Sequence, residues 1–203
     1  MKVKLLHYTP LDIADKSISK CWDKTTDKWQ ARMYRVANKF KHASTIEHIN
    51  YSFDIDGISR ACLQELARHR HQSLSVKSTR YTLGELKNET SFISLGCNFS
   101  KAEKYIVLTE DFATNTCSIK ALEELRQLLI AGISNDKAKY CMPEAYKTSL
   151  VSTMNMRALQ NFLSLRTDKS ALWEIQELAH KMFEVLPSEH KFMLEDFVKD
   201  GKN

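Results

Sequence analysis

Groups that bind anions are concentrated in one segment of the sequence, RHRHQSLSVKSTRY, which runs from Arg68 to Tyr81. Its fourteen residues carry four permanent positive charges, two histidines and five hydroxyl groups, and none of them is acidic. Because like charges repel one another, this density of cations predicts an oxygen-rich anionic ligand. Arginines predominate, and their planar fork of N–H donors suits phosphates and carbonyl edges. The alternative interpretation is a basic face that meets only solvent.

The usual backbone cradles for nucleotides are absent from the sequence. It contains neither a GxGxxG fingerprint after a strand nor a GxxxxGK[ST] loop, so side-chain cations would have to replace glycine-rich backbone. A nucleic-acid-binding module that grips phosphates with Arg68 to Arg80 is a second possibility. The net charge of only +5 and the lack of interleaved aromatic residues argue against it, and no nucleic-acid partner is expected.

Hydrophobic periodicity predicts the elements that hold this segment. In the first half, KVKLLHY is typical of a strand, and residues Thr25 to Phe40 have the spacing of an amphipathic helix. INYSFDID alternates strictly and predicts a half-buried strand that ends at Gly57. ISRACLQELARHR returns to helical spacing, so the cationic segment is expected to begin at a helix C-terminus and continue as a loop.

The second half of the sequence is predicted to be mainly helical. A leucine stripe from Leu122 to Ile133 and a longer stripe from Leu172 to Leu186 each predict a helix. Between them, YKTSLVSTM has strand character, and NMRALQNFLSLR predicts a helix with Asn155 as its N-cap. Together these elements indicate an α+β protein, a single domain over residues 1–203 with a central, mainly antiparallel sheet flanked by helices.

The five cysteines are scattered and show no CxxC spacing, so no disulfide framework is expected. They are interpreted as small buried hydrophobic residues in a reducing cytoplasm. The N-terminus lacks the apolar run of a signal peptide, and no stretch approaches about 20 apolar residues, so no membrane association is expected. His69 and His71 stand close together, but no carboxylate or cysteine joins them at ligand spacing, so no metal site is expected.

Arg68-His69-Arg70, followed after seven residues by Ser78 and then by Arg80-Tyr81, resembles the RHR-x7-S signature of the flavin-dependent thymidylate synthases. Two further segments are similar to motifs of that family. HASTIEH, from His42 to His48, resembles its His-x-[ST]-x-x-E-H segment, and NMRALQNFLSLR resembles its Asn-x-Arg-x-x-x-Asn-x-x-x-x-Arg segment, followed here by WEIQ. The resemblance covers the chain from about His42 to Gln176.

This resemblance implies a homotetrameric methyltransferase with FAD held where subunits meet. Such an enzyme converts dUMP to dTMP, with 5,10-methylenetetrahydrofolate as carbon donor and NADPH as the reductant of the flavin. It uses no cysteine nucleophile.

The resemblance also implies the residues of the site. The FAD contacts would be His42, Ser44, Arg68, His69, Arg70, Asn155, Arg157 and Asn161. The dUMP contacts would be Glu65, Arg68, Ser78, Thr79, Arg80, Lys139 and Arg166. The catalytic residue would be Arg166, matching the arginine that stabilises the uracil ring ionised at N3.

Three positions depart from the commoner family pattern. Val76 replaces a glutamate, Glu65 replaces a glutamine, and Lys139 replaces an arginine. A bare carboxylate near a phosphate is repulsive, so Glu65 is expected to pair with a cation or to point away. A flavoprotein of this family that has lost methyl transfer is therefore a further alternative.

Overall fold

The computed structural model describes residues 1–199. Its central feature is a four-stranded sheet with the strand order β1-β2-β4-β3. The strands are β1 (Lys2–Tyr8), β2 (Asn50–Ser59), β3 (Gln72–Val76) and β4 (Lys147–Asn155). Strands β1 and β2 are antiparallel, with Lys2 opposite Asp56 and Tyr8 opposite Tyr51, and a register shift interrupts them between Leu5 and His7.

Ten α-helices, several of them a single turn, occur in the described chain. They are α1 (Asp12–Trp22), α2 (Trp29–Tyr34), α3 (Arg60–Ala67), α4 (Thr79–Thr82), α5 (Phe99–Ala102), α6 (Phe112–Ile130), α7 (Asn135–Ala138), α8 (Met156–Arg166), α9 (Trp173–Glu184) and α10 (Ser188–Lys191). Helix α2 continues as a π-helix over Arg35–Lys39. Short 3-10 turns occupy Ala43–Ile46, Leu83–Asn88, Lys139–Cys141 and Glu195–Phe197.

The chain divides into two compact units, which are described separately. The first unit comprises Met1–Asp56, Glu65–Ser75 and the chain from Leu150 onward. The second unit comprises Gly57–Gln64 and Val76–Ser149.

The core of the first unit is built on strand β2. Its residues Tyr51, Phe53 and Ile55 are completely buried, as the strict alternation of this strand predicts. Helix α9 packs against β1 and α8, and it contributes a stripe of fully buried apolar residues to the core. The buried residues of β2 and the apolar stripe of α9 therefore both face the core of the first unit.

Helix α8 is defined at its start by a side-chain cap. The Asn155 side-chain oxygen accepts a hydrogen bond from the Ala158 backbone N–H at 2.8 Å, which satisfies one of the unpaired amides of the first turn. The helix then buries an apolar face that includes Phe162, which is completely inaccessible to solvent. Its other face leaves Arg157 and Asn161 exposed. Packing of the apolar face thus fixes the direction in which the polar face points.

The second unit is organised around helix α6, whose N-cap is Asp111 and whose leucine stripe is buried. This helix also contains a buried ion pair between Glu123 and Arg126. The Glu123 carboxylate accepts hydrogen bonds from the Arg126 guanidinium at 2.8 and 2.9 Å, from the Phe92 backbone N–H at 3.0 Å and from the Gln127 amide at 2.7 Å. These bonds, the Arg126 pair first, lower the pKa of Glu123 to about 2.

The predicted α+β class with an antiparallel sheet is confirmed. The first strand KVKLLHY, the strand around YKTSLVSTM and the Asn155-capped helix all form within one or two residues of the predicted bounds. The leucine stripe from Leu122 forms as the C-terminal half of α6, which ends at Ile130. These elements share a clear period or a clear cap, which explains their agreement with the sequence.

Three predicted element boundaries are wrong. Strand β2 does not end at Gly57, because that residue adopts φ +76° and lets the strand continue to Ser59. The helix predicted from Thr25 begins only at Trp29 and passes into the π-helix. The cationic segment does not continue as a loop, because its residues Gln72–Val76 form the edge strand β3.

The interpretation of the cysteines is correct for only part of the set. Cys62 is buried and Cys97 is partly buried, but Cys21, Cys117 and Cys141 are exposed. Within residues 1–199 the structure shows no disulfide bond between these cysteines. The same residues contain no helix long and apolar enough to cross a bilayer, and no cluster of three or more metal-ligating side chains.

We predict that Glu123→Ala lowers the free energy of unfolding by about 3 kcal/mol or more, because it leaves a buried guanidinium without its partner. Glu124→Ala is the matched control, since Glu124 is the exposed neighbour on the same helix and its loss should cost at most about 0.5 kcal/mol. Urea titration measures both values. Because the pKa of Glu123 is depressed, its contribution should be complete above pH 4.5 and should disappear as the pH falls towards 2. Equal losses in the two variants would contradict the assigned role.

Candidate functional site

The cationic segment is distributed over both units. Arg68, His69 and Arg70 follow directly after α3, and β3 carries the chain from Gln72 to Val76. The first unit contains residues up to Ser75, and the second contains the remainder. The candidate site is therefore described within each unit in turn.

In the first unit, three cavities are lined by shared residues. The first has a volume of about 450 Å³ and is lined by Glu47, His69, Arg70, His71, Asn155, Arg157, Ala158 and Asn161. The second, of about 350 Å³, is lined by Cys21, Trp22, Val36, Lys41, His42, Ala43, Ser44, Thr45 and Arg157. The third, of about 520 Å³, is lined by Arg68, His69, Arg70, His71, Asn161, Leu165, Arg166, Ser170 and Ala171.

These shared linings show which predicted residues the fold brings together. The first and second cavities have Arg157 in common, and the first and third share four residues, among them His69 and Asn161. All eight residues expected to contact FAD line one or more of the three cavities, and so does the expected catalytic residue Arg166. Segments far apart in sequence thus converge on one basic region of the first unit.

Two neighbouring turns of helix α8 connect these cavities. Arg157 and Asn161 both line the first cavity, which confirms that four-residue spacing places them on one face. Asn161 also lines the third cavity together with Arg166, the last residue of the helix. A single helix therefore presents one group of donors along the length of the site. Its C-terminal end, where the helix dipole is negative, suits the guanidinium of Arg166.

Arg157 already has an internal counter-ion. Its Nη1 lies 2.5 Å from the Glu47 Oε1, and both side chains are substantially exposed. An exposed ion pair of this kind contributes little to stability, typically below about 1 kcal/mol. An anionic ligand can therefore take the place of the carboxylate at small cost.

Arg166 is far more enclosed than the other cations of the site. Its side chain is 15% exposed, whereas that of Arg68 is 74% exposed. The Arg166 Nη1 donates to the Glu65 Oε2 at 2.8 Å, its Nη2 donates to the Glu65 backbone carbonyl at 3.2 Å, and its Nε donates to the His69 Nε2 at 2.8 Å. The expectation that Glu65 pairs with a cation is confirmed.

His69 is a neutral hydrogen-bond acceptor in this arrangement. Burial, and after it the nearby charge of Arg166, lower the pKa of its imidazole to about 4, against a smaller opposing effect of Glu65. Since Nε2 accepts from Arg166, the ring proton is assigned to Nδ1. The ring also packs edge-on against Phe162, with the centroids 5.0 Å apart. His69 is thus held by the core of the first unit.

The remaining expected dUMP contacts lie in the second unit. Ser78 precedes α4, Thr79 is buried within it, and Arg80 is exposed, with its Nε 3.0 Å from the Asp136 Oδ1 of α7. The Asn135 side chain also donates to the Arg80 carbonyl at 2.7 Å. Lys139 is partly buried and follows α7 directly. Within this unit, the packing of α4 against α7 therefore brings Ser78–Arg80 towards the turn that carries Lys139.

The structure also adds lining residues that the sequence did not single out. Glu47 belongs to the HASTIEH segment, and its ion pair with Arg157 was not expected. Cys21 and Trp22 come from the end of α1, a helix that was not predicted at all. The side chain of Val76, where a glutamate is common in the family pattern, is exposed at the end of β3 and supplies no carboxylate.

Comparison with known proteins agrees with this geometry. Residues 4–190 match the family model described as "Thymidylate synthase complementing protein". The flavin-dependent thymidylate synthase of Campylobacter jejuni (strain RM1221) is 55% identical over 201 residues, which cover 96% of each chain. That of Helicobacter pylori (strain ATCC 700392 / 26695) is 49% identical, over 98% of this chain and 100% of its relative.

A solved structure gives the same result. The crystal structure of thymidylate synthase X from Helicobacter pylori with FAD and dUMP matches with a TM-score of 0.94 and 48% identity, covering 98% of this chain and 100% of that one. A family match over nearly the whole sequence, close relatives and a shared fold all agree. This chain belongs to the flavin-dependent thymidylate synthase family.

Proposed function

We propose that this chain, as one domain over residues 1–203, converts dUMP to dTMP by reductive methylation. The carbon donor is 5,10-methylenetetrahydrofolate, and NADPH reduces the FAD. The observation that carries this proposal is the convergence of all eight expected FAD contacts, together with Arg166, on three cavities with shared linings in a chain of this family.

The donors present in the first unit fit FAD. The dinucleotide has a charged diphosphate, a ring edge rich in carbonyl and imide groups, and hydroxyls that need polar partners. Arg70 and Arg157 supply cations, and Asn155 and Asn161 supply amides, in the absence of a glycine-rich cradle. His42 and Ser44 line the cavity that adjoins through Arg157. When bound, the flavin supplies the redox chemistry of the reaction.

Arg166 is the group of this chain that acts on the nucleotide base. A guanidinium beside the uracil N3 stabilises the ring in its ionised form, because opposite charges attract in a poorly solvated site. Ionisation at N3 moves electron density towards C5, the atom that must attack the incoming one-carbon unit. Because Arg166 is largely buried, little water screens its charge. No thiol takes part in this scheme.

The dUMP phosphate and sugar need further donors, and the second unit offers them. We assign this role to Ser78, Thr79, Arg80 and Lys139 of that unit. Among residues 1–199, Arg80 pairs with the exposed Asp136, so exchange of that carboxylate for a phosphate costs little. Lys139 binds a phosphate as a point charge, without the two-pronged geometry of an arginine.

We further propose a homotetramer in a reducing compartment such as the cytoplasm. Several large apolar side chains of the second unit are strongly exposed: Leu95, Tyr140, Tyr81 and Phe112, at 102%, 88%, 82% and 71%. We take these side chains as candidates for the contacts between subunits. Three exposed, unpaired thiols suit a reducing environment.

The purified protein is expected to be yellow and to form dTMP from dUMP when methylenetetrahydrofolate and NADPH are supplied. Arg166→Ala should retain FAD but lose about 100-fold or more in turnover, the usual scale for removing a preorganised charge stabiliser. Arg166→Lys, which keeps the charge without the fork, should fall between the two. Tritium release from dUMP labelled at C5 measures turnover, and the flavin absorbance measures FAD content.

Three outcomes would contradict parts of this proposal. Full turnover by Arg166→Ala with normal flavin would remove the role of Arg166. A yellow protein that oxidises NADPH yet forms no dTMP would indicate a flavoprotein without methyl transfer. A colourless protein that FAD cannot reconstitute, and that binds nucleic acid in a salt-dependent manner, would indicate the nucleic-acid module instead.

The assembly is tested by light scattering coupled to size exclusion. The expected mass is four times the chain mass of 23.5 kDa, and it should persist on dilution to micromolar concentration. Leu95→Asp and Phe112→Asp, which place charge on exposed apolar positions, should reduce the mass because an interface that buries a lone carboxylate is destabilised. A wild-type protein that is monomeric at every concentration would exclude the tetramer.

A further inference from the structure

The guanidinium of Arg166 is fixed from more than one direction before any ligand is present. The carboxylate and the backbone carbonyl of Glu65 accept hydrogen bonds from its two Nη atoms, and the ring of His69 accepts from its Nε. Glu65 lies in the last turn of α3, and Arg166 is the last residue of α8. Within the first unit, these three bonds therefore connect the chain at the C-terminal end of α3 to the C-terminal end of α8.

The bonds leave part of the guanidinium available to a ligand. An arginine side chain has five N–H donors, and three of them are used by Glu65 and His69. Within residues 1–199, no partner is found for the other two, one on each Nη. Because Arg166 lines the cavity of about 520 Å³, these two donors remain available to a base bound there. Their direction is set by the three bonds already made, since the guanidinium is planar.

Glu65 is itself held by this geometry. Its Oε2 accepts from Arg166, and its Oε1 lies 3.7 Å from the Arg68 Nη1. A carboxylate occupied in this way is not placed to contact an anionic nucleotide directly, which would repel it. The Glu65 contact with dUMP that the family resemblance implies is therefore better understood as a contact made through Arg166.

We propose that Glu65 is a positioning residue, whose side-chain oxygen holds the Arg166 guanidinium in the orientation needed to act on the base. This inference rests on the function proposed above. What matters in the Glu65 side chain is its reach, which brings the acceptor oxygen to Arg166. The negative charge of the carboxylate is not required. The charge in fact opposes the task, because a carboxylate beside Arg166 weakens the attraction between the guanidinium and an ionised uracil ring.

Two conservative variants separate reach from charge. Glu65→Gln keeps the length of the side chain and an acceptor oxygen but removes the charge. Glu65→Asp keeps the charge but withdraws the oxygen by one methylene. If reach is decisive, Glu65→Gln should keep kcat within about 3-fold, whereas Glu65→Asp should lose about 10- to 100-fold, the scale of a small misplacement of a catalytic group. The KM for dUMP should change less than kcat in both variants.

A second measurement reports on Arg166 without turnover. The ring of 5-fluoro-dUMP ionises readily at N3 because fluorine withdraws electrons, and its ultraviolet absorbance follows this ionisation. In a complex with the wild-type holoenzyme, the apparent pKa of this ring should lie below its value in solution. Glu65→Asp should raise it by about one pH unit, which corresponds to tenfold weaker stabilisation of the anion, and Glu65→Gln should leave it at or below the wild-type value.

The matched controls are Glu177→Gln and Glu177→Asp, because Glu177 also pairs with a cation, Lys181, but on the exposed surface of α9. Both should retain wild-type kinetics. Flavin content and thermal unfolding, measured on every variant, identify any that is misfolded. If only one of the two Glu65 variants folds, its kinetics and ring ionisation are compared with those of the wild-type protein.

Each outcome has a defined meaning. If Glu65→Asp retains kcat and ring ionisation while Glu65→Gln loses them, charge is decisive and the inference is wrong. If both retain wild-type values, Glu65 has no positioning role. If both lose equally while their flavin content and stability are normal, the claim about reach is also wrong. A wild-type protein that forms no dTMP would instead overturn the proposed function, and this is established before any variant is made.

Discussion

The site depends on keeping several positive charges close together in a small volume. Arginines that line three cavities with shared linings repel one another, and water screens this repulsion least at Arg166, the most enclosed of them. Two carboxylates lie among them: Glu65 pairs with Arg166 and lies 3.7 Å from Arg68, and Glu47 pairs with Arg157. These internal counter-ions offset part of the repulsion among the cationic residues. The two pairs differ in exposure, so Arg157 exchanges its partner easily, whereas Arg166 remains fixed.

The fold supplies this arrangement through helix ends more than through the sheet. Helix α8 is fixed at its start by the Asn155 cap and along its length by a buried apolar face, and it ends at Arg166. Helix α3 ends just before the RHR triplet, so its last turn contributes Glu65 and its C-terminal extension contributes His69. The His69 ring lies against Phe162, which links the polar cluster directly to the core. Errors in core packing should therefore reach the guanidinium both through α8 itself and through this aromatic contact.

Sequence periodicity predicted the elements whose signal is local. The strands β1 and β4 and the helix from Asn155 needed only a period or a cap, whereas the expected site residues came from the resemblance to a known family. What it missed depends on tertiary context. Gly57 ends a strand by propensity, yet its positive φ lets β2 continue, and the edge strand β3 forms because β4 lies beside it. The ion pairs of Glu65 and Glu47 join residues about 100 positions apart, which no spacing rule reveals.

The departures from the family pattern acquire a common meaning once the Arg166 cluster is described. Val76 removes a carboxylate from the cationic segment, and Glu65 adds one just before it, so the formal charge around the motif is the same as in the commoner pattern. The position of the negative charge is different, because it lies on Glu65, which pairs with Arg166, instead of on residue 76 at the end of β3. A glutamine in place of Glu65 presents the same oxygen without the charge. The requirement shared by both residues is therefore an acceptor that reaches the guanidinium, and the chain meets it while holding its net charge constant.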